Sequence, residues 1–107
     1  MLKINDERAR LLVVDDESEI RNVLCELLCR DYDCASASSA EEALERLRAD
    51  YFHLIISDIT MSGMSGLEMI PHVSDLSPET VVVMISGMQT NESAIEALRL
   101  GAFDYIM

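Results

Sequence analysis

Short apolar runs alternate along the chain with longer segments in which apolar residues recur every three or four positions. Runs of this length, rich in Val, Ile and Leu and bounded by polar residues, are typical of buried strands. The pattern predicts five strands, at Leu11–Val14, Tyr32–Ala37, Leu54–Asp58, Thr80–Ile85 and Phe103–Met107.

Four helices are predicted between these strands, each with one apolar face. The first should bury Ile20, Val23, Leu24, Leu27 and Leu28, and the second, opened by a Ser39–Glu42 capping box, should bury Ala43, Leu44 and Leu47. In the third, Pro71 should kink or shorten a helix whose apolar positions are Leu67, Ile70 and Val73 to Leu76. The fourth begins near Asn91, ends at Gly101 and should bury Ala94, Ile95 and Leu98.

Strict alternation of strands and helices predicts an α/β fold, a doubly wound parallel sheet with helices on both faces. Residues 1–9 have mixed charge and little pattern, so we expect a tail followed by one domain at 10–107. In a parallel sheet every strand ends at the same edge, and ligands of open α/β sheets bind beyond that edge. Residues that directly follow the strands are therefore the first candidates for function.

The net charge of −12 and the pI near 4.3 argue against contact with nucleic acid or an anionic membrane, and favour a metal cation or a basic partner. No apolar run approaches the roughly 20 residues of a membrane span. Cys25, Cys29 and Cys34 share no metal-binding motif with the histidines, and we interpret them as small buried hydrophobes. Reduced thiols favour a cytoplasmic location.

Four polar residues follow predicted strands directly, namely Asp15, Asp16, Asp58 and Ser86. Three crowded carboxylates repel one another unless a cation lies between them, and Mg²⁺ prefers such oxygen ligands. An aspartate can also attack phosphorus to give an aspartyl phosphate. Taken singly, Asp16 fits a helix N-cap, Asp15 and Asp58 solvated carboxylates, and Ser86 a turn residue. Jointly they favour a phosphoryl-transfer site with Asp58 as the reactive group.

From about Arg10 to Met107 the chain resembles the receiver domains of two-component response regulators. The resemblance rests on Val-Val-Asp15-Asp16-Glu17, on Ser57-Asp58 with Met61, Met64 and Gly66 behind, on Ser86-Gly87, and on the segment Leu100–Tyr105. It implies a flavodoxin-like sheet of order 2-1-3-4-5, with this chain ending in the fifth strand.

The resemblance also implies the chemistry. Asp58 would accept phosphate from a sensor histidine kinase or a phosphotransfer protein, with Mg²⁺ held by Asp15, Asp16, Asp58 and the backbone carbonyl of Thr60. Ser86 would bond the phosphoryl oxygens, and Tyr105 would be the switch aromatic that changes the helix 4/strand 5 surface to control an output. The protein would be a phosphoacceptor switch that assists its own phosphorylation and dephosphorylation, not an enzyme with a diffusible product, and a homodimer is a further expectation.

Two residues depart from the family pattern. Ser62 replaces the usual proline after the methionine, which suggests a looser loop. The family's phosphate-binding lysine belongs just after Met107, and Lys3, the only lysine, cannot replace it. Either the sequence is a fragment or phosphate binding is impaired. A last helix is absent as well, so we expect a partly bare apolar sheet face, covered by more chain or by association, and slow phosphorylation of these 107 residues alone.

Two alternative functions remain open from the sequence. A haloacid-dehalogenase-like aspartyl-phosphate phosphatase also uses an aspartate at a strand end, but it places a second aspartate two residues later, where this chain has Thr60. A phosphorylation-independent interaction module on the same fold is the other alternative. Trapping of labelled phosphate without turnover of small phosphate esters would separate these functions from a receiver.

Overall fold

Five strands and four helices alternate in the computed structural model, which describes residues 8–85 and 91–106. They are β1 Arg10–Val14, α1 Ser18–Leu28, β2 Asp33–Ala37, α2 Ala40–Ala49, β3 Leu54–Asp58, α3 Gly66–Leu76, β4 Val81–Ile85, α4 Asn91–Leu100 and β5 Asp104–Ile106. The predicted elements are therefore present in the predicted order. Within the described ranges, no helix has the length and apolar character needed to cross a membrane.

The strands form one parallel sheet of order β2-β1-β3-β4-β5, which confirms the predicted topology. Chain order is broken only at β1, which lies between β2 and β3. Leu12 pairs with Ile55 and Ile55 with Val82, so three central strands present apolar side chains to the same face. The edge beyond β1 and β3 is the switch point at which ligands of such sheets bind.

The main hydrophobic core lies between this face of the sheet and helices α2, α3 and α4. Leu12, Ile55 and Met84 are completely buried there, together with Phe52 and Met69. The second helix buries Ala43, Leu44 and Leu47, as predicted. Because successive side chains of a strand point to opposite faces, the residues between the core positions face α1 instead.

Among the described residues, the opposite face of the sheet is only partly covered, by α1 packed on β1 and β2. Alternate residues of β3 and β4 are half-buried or exposed on that face, and Val81 is 37% exposed. The predicted apolar face of α1 is wrong in its extent, because the sheet covers only one flank of the helix. Leu24 and Leu28 are half-buried, whereas the other members of the predicted face are exposed, namely Ile20, Val23 and Leu27.

The predicted buried face of α4 is also wrong. Ile95 and Leu98 are exposed and Ala94 is half-buried, whereas Ala97 is completely buried among the side chains of α4 that the structure describes. The physical reason is that α4 packs on α3 and β5 through its small residues, which allow close approach of the two helices. Apolar spacing marked the existence of the helix but not the flank that contacts its neighbours.

Capping differs from the prediction at two helices. The hydroxyl of Ser39 accepts from the N–H of Glu42, as expected, but the Glu42 carboxylate returns to Ser38 rather than to Ser39. A complete capping box is found instead at the start of α3, between Ser65 and Glu68. That helix continues through Pro71 to Leu76, so the proline does not shorten it.

Candidate functional site

Three carboxylates meet at the edge of the sheet where β1 and β3 end. One oxygen from each of Asp15, Asp16 and Asp58 lies within 4.8 Å of the other two. Among residues 8–85 and 91–106 this is the only set of three acidic, histidine or cysteine side chains arranged to hold a metal ion. The strand-end prediction therefore placed these carboxylates together correctly.

Asp15 lies at the floor of the group and is 3% exposed. Its side chain accepts a hydrogen bond from the N–H of Glu17 at 2.9 Å, and its backbone carbonyl accepts from the Arg21 guanidinium at 2.6 Å. Burial raises the pKa of Asp15 above its ordinary value, and the neighbouring charge of Asp16 adds to the rise. The Glu17 N–H and the Arg21 charge act in the opposite direction.

Asp58 is half-buried at the end of the central strand. The backbone N–H of Ile59 donates to its Oδ1 at 2.7 Å, which fixes the orientation of the carboxylate. Burial raises the pKa of Asp58, and repulsion from Asp15 and Asp16 raises it further, against the lowering effect of the Ile59 N–H. The carboxylate is thus held in a poorly solvated environment beside two like charges.

Asp16 is exposed, and its Oδ2 accepts a hydrogen bond from the backbone N–H of Ser62 at 3.3 Å. The interpretation of Asp16 as a helix cap is wrong, because the N-cap of α1 is Glu17, which makes no side-chain capping bond. Asp16 instead faces the loop that follows β3. That loop, residues 59–65, ends where the N–H of Gly66 donates to the carbonyl of Ile59 at 2.7 Å.

The chemistry of these oxygens suits a divalent metal cation. A cation would relieve the mutual repulsion that contributes to the raised pKa values of Asp15 and Asp58. Carboxylate oxygens are the ligands of hard cations. Thr60, the predicted carbonyl ligand, lies two residues beyond Asp58 on the same loop and is exposed. Its part in metal binding stays a prediction.

Two predicted site residues fall where less is described. Ser86 lies outside the described residues, directly after Ile85, which pairs with Asp58 in the sheet. The backbone of Tyr105, in β5, pairs with that of Met84, in β4. The side chain of Tyr105 is not among the described parts of the chain. Their roles stay predictions.

The cysteines are not the buried hydrophobes that the sequence suggested. Cys25 and Cys34 are half-buried and Cys29 is exposed, and all three line a groove of about 460 Å³ between α1 and β2. Burial raises the pKa of Cys25 and of Cys34, and the neighbouring thiols add to the rise. Thiols of raised pKa are poor nucleophiles at neutral pH, so Cys25 and Cys34 are not activated.

Three further residues shape the site, and sequence reasoning missed two of them, Arg21 and Glu41, and named Gly66 only as part of the family pattern. Arg21 bonds the Asp15 backbone, Glu41 bonds the loop after β3, and Gly66 packs on the backbone of Asp58. A glycine at the start of a helix was a visible signal for Gly66, since glycine allows close approach of a neighbouring backbone. Arg21 and Glu41 carried no such signal, because Arg21 bonds a backbone carbonyl and Glu41 bonds a loop 23 residues away.

Residues 11–107 of the sequence match the family model of the response regulator receiver domain. The chain is 37% identical over 100 residues to the response regulator protein PilR of Pseudomonas aeruginosa, covering 92% of this chain and 22% of PilR. It is 35% identical over 98 residues to the transcriptional regulatory protein ZraR of Escherichia coli K12, covering 91% and 22%. The chain therefore spans about a fifth of the length of these relatives.

Solved structures agree with these relatives. A response regulator protein from Burkholderia pseudomallei, crystallised with a phosphorylated aspartic acid, a calcium ion and citrate, superposes with a TM-score of 0.85 at 29% identity, over 92% of this chain and 58% of that one. The beryllofluoride-activated NtrC4 receiver domain dimer superposes with a TM-score of 0.85 at 31% identity, over 91% and 81%.

Proposed function

Because the chain belongs to the response regulator receiver domain family, we propose that it is a phosphorylation switch whose acceptor is Asp58. The observation that carries the proposal is the meeting of Asp58 with Asp15 and Asp16 at the end of the central strand, with oxygens within 4.8 Å. The donor would be a phosphohistidine on a sensor kinase or on a phosphotransfer protein. Receiver domains are in general switches rather than enzymes.

The proposed transfer needs only the groups at this edge. An oxygen of Asp58 forms the new O–P bond while the P–N bond of the phosphohistidine breaks, and the imidazole nitrogen retains the electron pair. Asp58 can supply the attacking oxygen because its carboxylate lies half-buried at the end of β3, and an ionised carboxylate is a nucleophile towards phosphorus. The Ile59 N–H holds the carboxylate in one orientation as it attacks.

We propose Mg²⁺ as the cation, held by Asp15, Asp16, Asp58 and the carbonyl of Thr60. Mg²⁺ takes a few carboxylates together with waters and phosphate oxygens, and when bound it neutralises charge on a transferring phosphoryl group. The donor set of three carboxylate oxygens fits this preference. In a similar structure, from Burkholderia pseudomallei, a calcium ion accompanies a phosphorylated aspartate.

The same site would accelerate both gain and loss of the phosphoryl group. Ser86 follows β4 directly, next to the strand position that pairs with Asp58, so its hydroxyl is suited to bond a phosphoryl oxygen. Tyr105 would respond to that movement and alter the surface of α4 and β5. A homodimer of the phosphorylated form is a further part of the proposal, supported by the dimer of the activated NtrC4 receiver.

Phosphate trapping tests the proposal. The full-length protein would be incubated with a small acyl phosphate in Mg²⁺ and the phosphorylated residue identified by mass spectrometry. We expect Asp58→Asn to abolish labelling. Asp75→Asn, at the exposed far end of α3, is the matched control and should label normally. Labelling that persists in Asp58→Asn would contradict the assignment, and steady turnover of small phosphate esters would favour a phosphatase.

A further inference from the structure

The loop between β3 and α3 is bonded at two neighbouring points to two different elements. Towards the site, the N–H of Ser62 donates to Asp16 Oδ2 at 3.3 Å. Away from the site, the N–H of Met64 donates to Oε2 of Glu41, in the first turn of α2, at 3.0 Å. One turn of the loop thus connects a proposed metal ligand to a helix that does not touch the metal site.

The turn between these two bonds is formed by Gly63, whose φ of +78° lies in the left-handed region that favours glycine. The Glu41 carboxylate lies directly over this turn, since a Cβ atom on Gly63 would approach its Oε2 to 2.9 Å. Glu41 therefore contacts the loop on both sides of the Gly63–Met64 peptide bond. The carboxylate fixes the part of the loop that immediately follows Ser62.

We propose that Glu41 and the backbone N–H of Ser62 are positioning groups for cation binding, acting in series on Asp16. The proposal rests on the proposed function, because it concerns the same metal site. Glu41 holds the turn, the turn presents the Ser62 N–H, and this N–H orients the otherwise exposed Asp16 carboxylate. Hydrogen bonds to ligating carboxylates orient them, and losing such partners lowers metal affinity about 10–100-fold.

The identity of residue 62 gives the inference its specificity. A proline there, the residue common in the resembling family, has no N–H and cannot make the bond to Asp16. The expectation of a looser loop at Ser62 therefore left out the hydrogen bond that the Ser62 N–H donates to Asp16. Any residue with a backbone N–H and a similar conformation should preserve it.

Two pairs of variants of the full-length protein test this, with Mg²⁺ titrations followed by the amide NMR shifts of Asp16 and Asp58. Ser62→Pro removes the N–H and should weaken Mg²⁺ binding about tenfold, whereas Ser62→Ala keeps the N–H and should bind as wild type. Glu41→Ala should weaken binding too. Glu41→Gln loses the charge but keeps an oxygen acceptor for the Met64 N–H, so it should retain most of the affinity.

The Glu41 pair separates orientation from simple attraction, because both variants remove the same charge. Hydrogen exchange of the Met64 and Ser62 amides in the metal-free protein is the second readout, and it should quicken in Glu41→Ala. If Ser62→Pro and Glu41→Ala bind Mg²⁺ as wild type does while Asp16→Ala does not, the positioning role is overturned and the metal site stands. If the wild type itself binds no Mg²⁺, both proposals are overturned.

Discussion

Gly66 lies against the backbone carbonyl of Asp58, so closely that a Cβ atom on Gly66 would overlap the carbonyl oxygen. The same Cβ would come within 2.6 Å of the methyl group of Met84, which is completely buried. The N-terminus of α3 therefore closes directly onto the strand end that carries the proposed acceptor. Only glycine fits this contact, although its φ is not in the left-handed region.

Gly66→Ala should accordingly destabilise the protein and disturb the acceptor. Overpacking of this kind costs about 1–3 kcal/mol, and the backbone oxygen is a neighbour that cannot rotate away. We expect a lower urea midpoint with an unchanged m-value, and slower labelling of Asp58. Ser74→Ala, on an exposed position of the same helix, is the control and should change neither. Wild-type stability of Gly66→Ala would mean that β3 and α3 can separate without loss.

The strands could be predicted because buried parallel strands leave an unmistakable sequence pattern, whereas their order in the sheet was implied by the resemblance to receiver domains. Val82 and Met84 face the main core and alternate with residues on the partly covered face, yet the whole run is apolar, as is typical of parallel strands. The faces of the helices could not be predicted as well. An apolar stripe shows that a helix can pack, but which flank is covered depends on neighbours, as Ile95 and Leu27 demonstrate by being exposed.

Some residues of the site could likewise be predicted from the sequence and others could not. Asp15, Asp16 and Asp58 could be predicted, because parallel strands bring their ends to one edge whatever the loops do. Glu41 could not, because its importance depends on where a loop 23 residues away turns back towards α2. The sequence thus predicts residues whose position follows from the sheet topology. Residues whose role depends on the conformation of a loop are found only from the structure.

The pH dependence of stability should reveal the strained carboxylates. Asp15 and Asp58 have raised pKa values in the folded state, so the folded protein keeps protons that the unfolded chain has already released. Their contribution to the free energy of unfolding therefore falls as pH rises from about 4, the ordinary aspartate range, through the raised values. At neutral pH, Asp58→Asn should be more stable than the wild type in the absence of metal.

Urea unfolding of both proteins across this range measures the effect. The stability difference should shrink towards acid pH, and it should also shrink at neutral pH when Mg²⁺ saturates the wild type. Comparing two proteins cancels the contribution of groups such as Glu42, whose pKa is lowered by bonds from Ser38. If the difference in free energy of unfolding between the two proteins did not vary with pH, burial and repulsion would not raise the pKa of Asp58.

Metal binding should depend on Asp16 and not on its acidic neighbour. Asp16→Ala removes one of three clustered oxygens, and we expect a single weak Mg²⁺ site in the wild type to be lost in this variant. Glu17→Gln is the matched control, since Glu17 is adjacent and exposed but is not part of the cluster. Calorimetric or NMR titration distinguishes them. Equal loss in both would mean that general negative charge, rather than the three oxygens, attracts the cation.

The last prediction concerns transmission of the phosphoryl signal from Asp58 to the far edge of the sheet. Phosphorylation adds charge and strong acceptor oxygens, towards which the Ser86 hydroxyl should move. In the sequence Ser86 directly follows Ile85, the partner of Asp58, and the backbone of Tyr105 pairs with that of Met84 in the sheet. Because β4 and β5 are neighbours in the sheet, a change that starts at the end of β4 has only to pass to the adjacent strand to reach Tyr105.

Beryllofluoride, which mimics a phosphoryl group, allows the test by NMR on the full-length protein. In the wild type, the largest shifts away from Asp58 should fall on Tyr105 and the surface of α4. Ser86→Ala should still bind the mimic but lose the shifts at Tyr105, and Ser86→Thr, which restores a hydroxyl, should regain them. If Tyr105 responds equally in Ser86→Ala, the signal must leave Asp58 by another route, and the loop carrying Ser62 and Met64 would be the first to examine, because it bonds both Asp16 and α2.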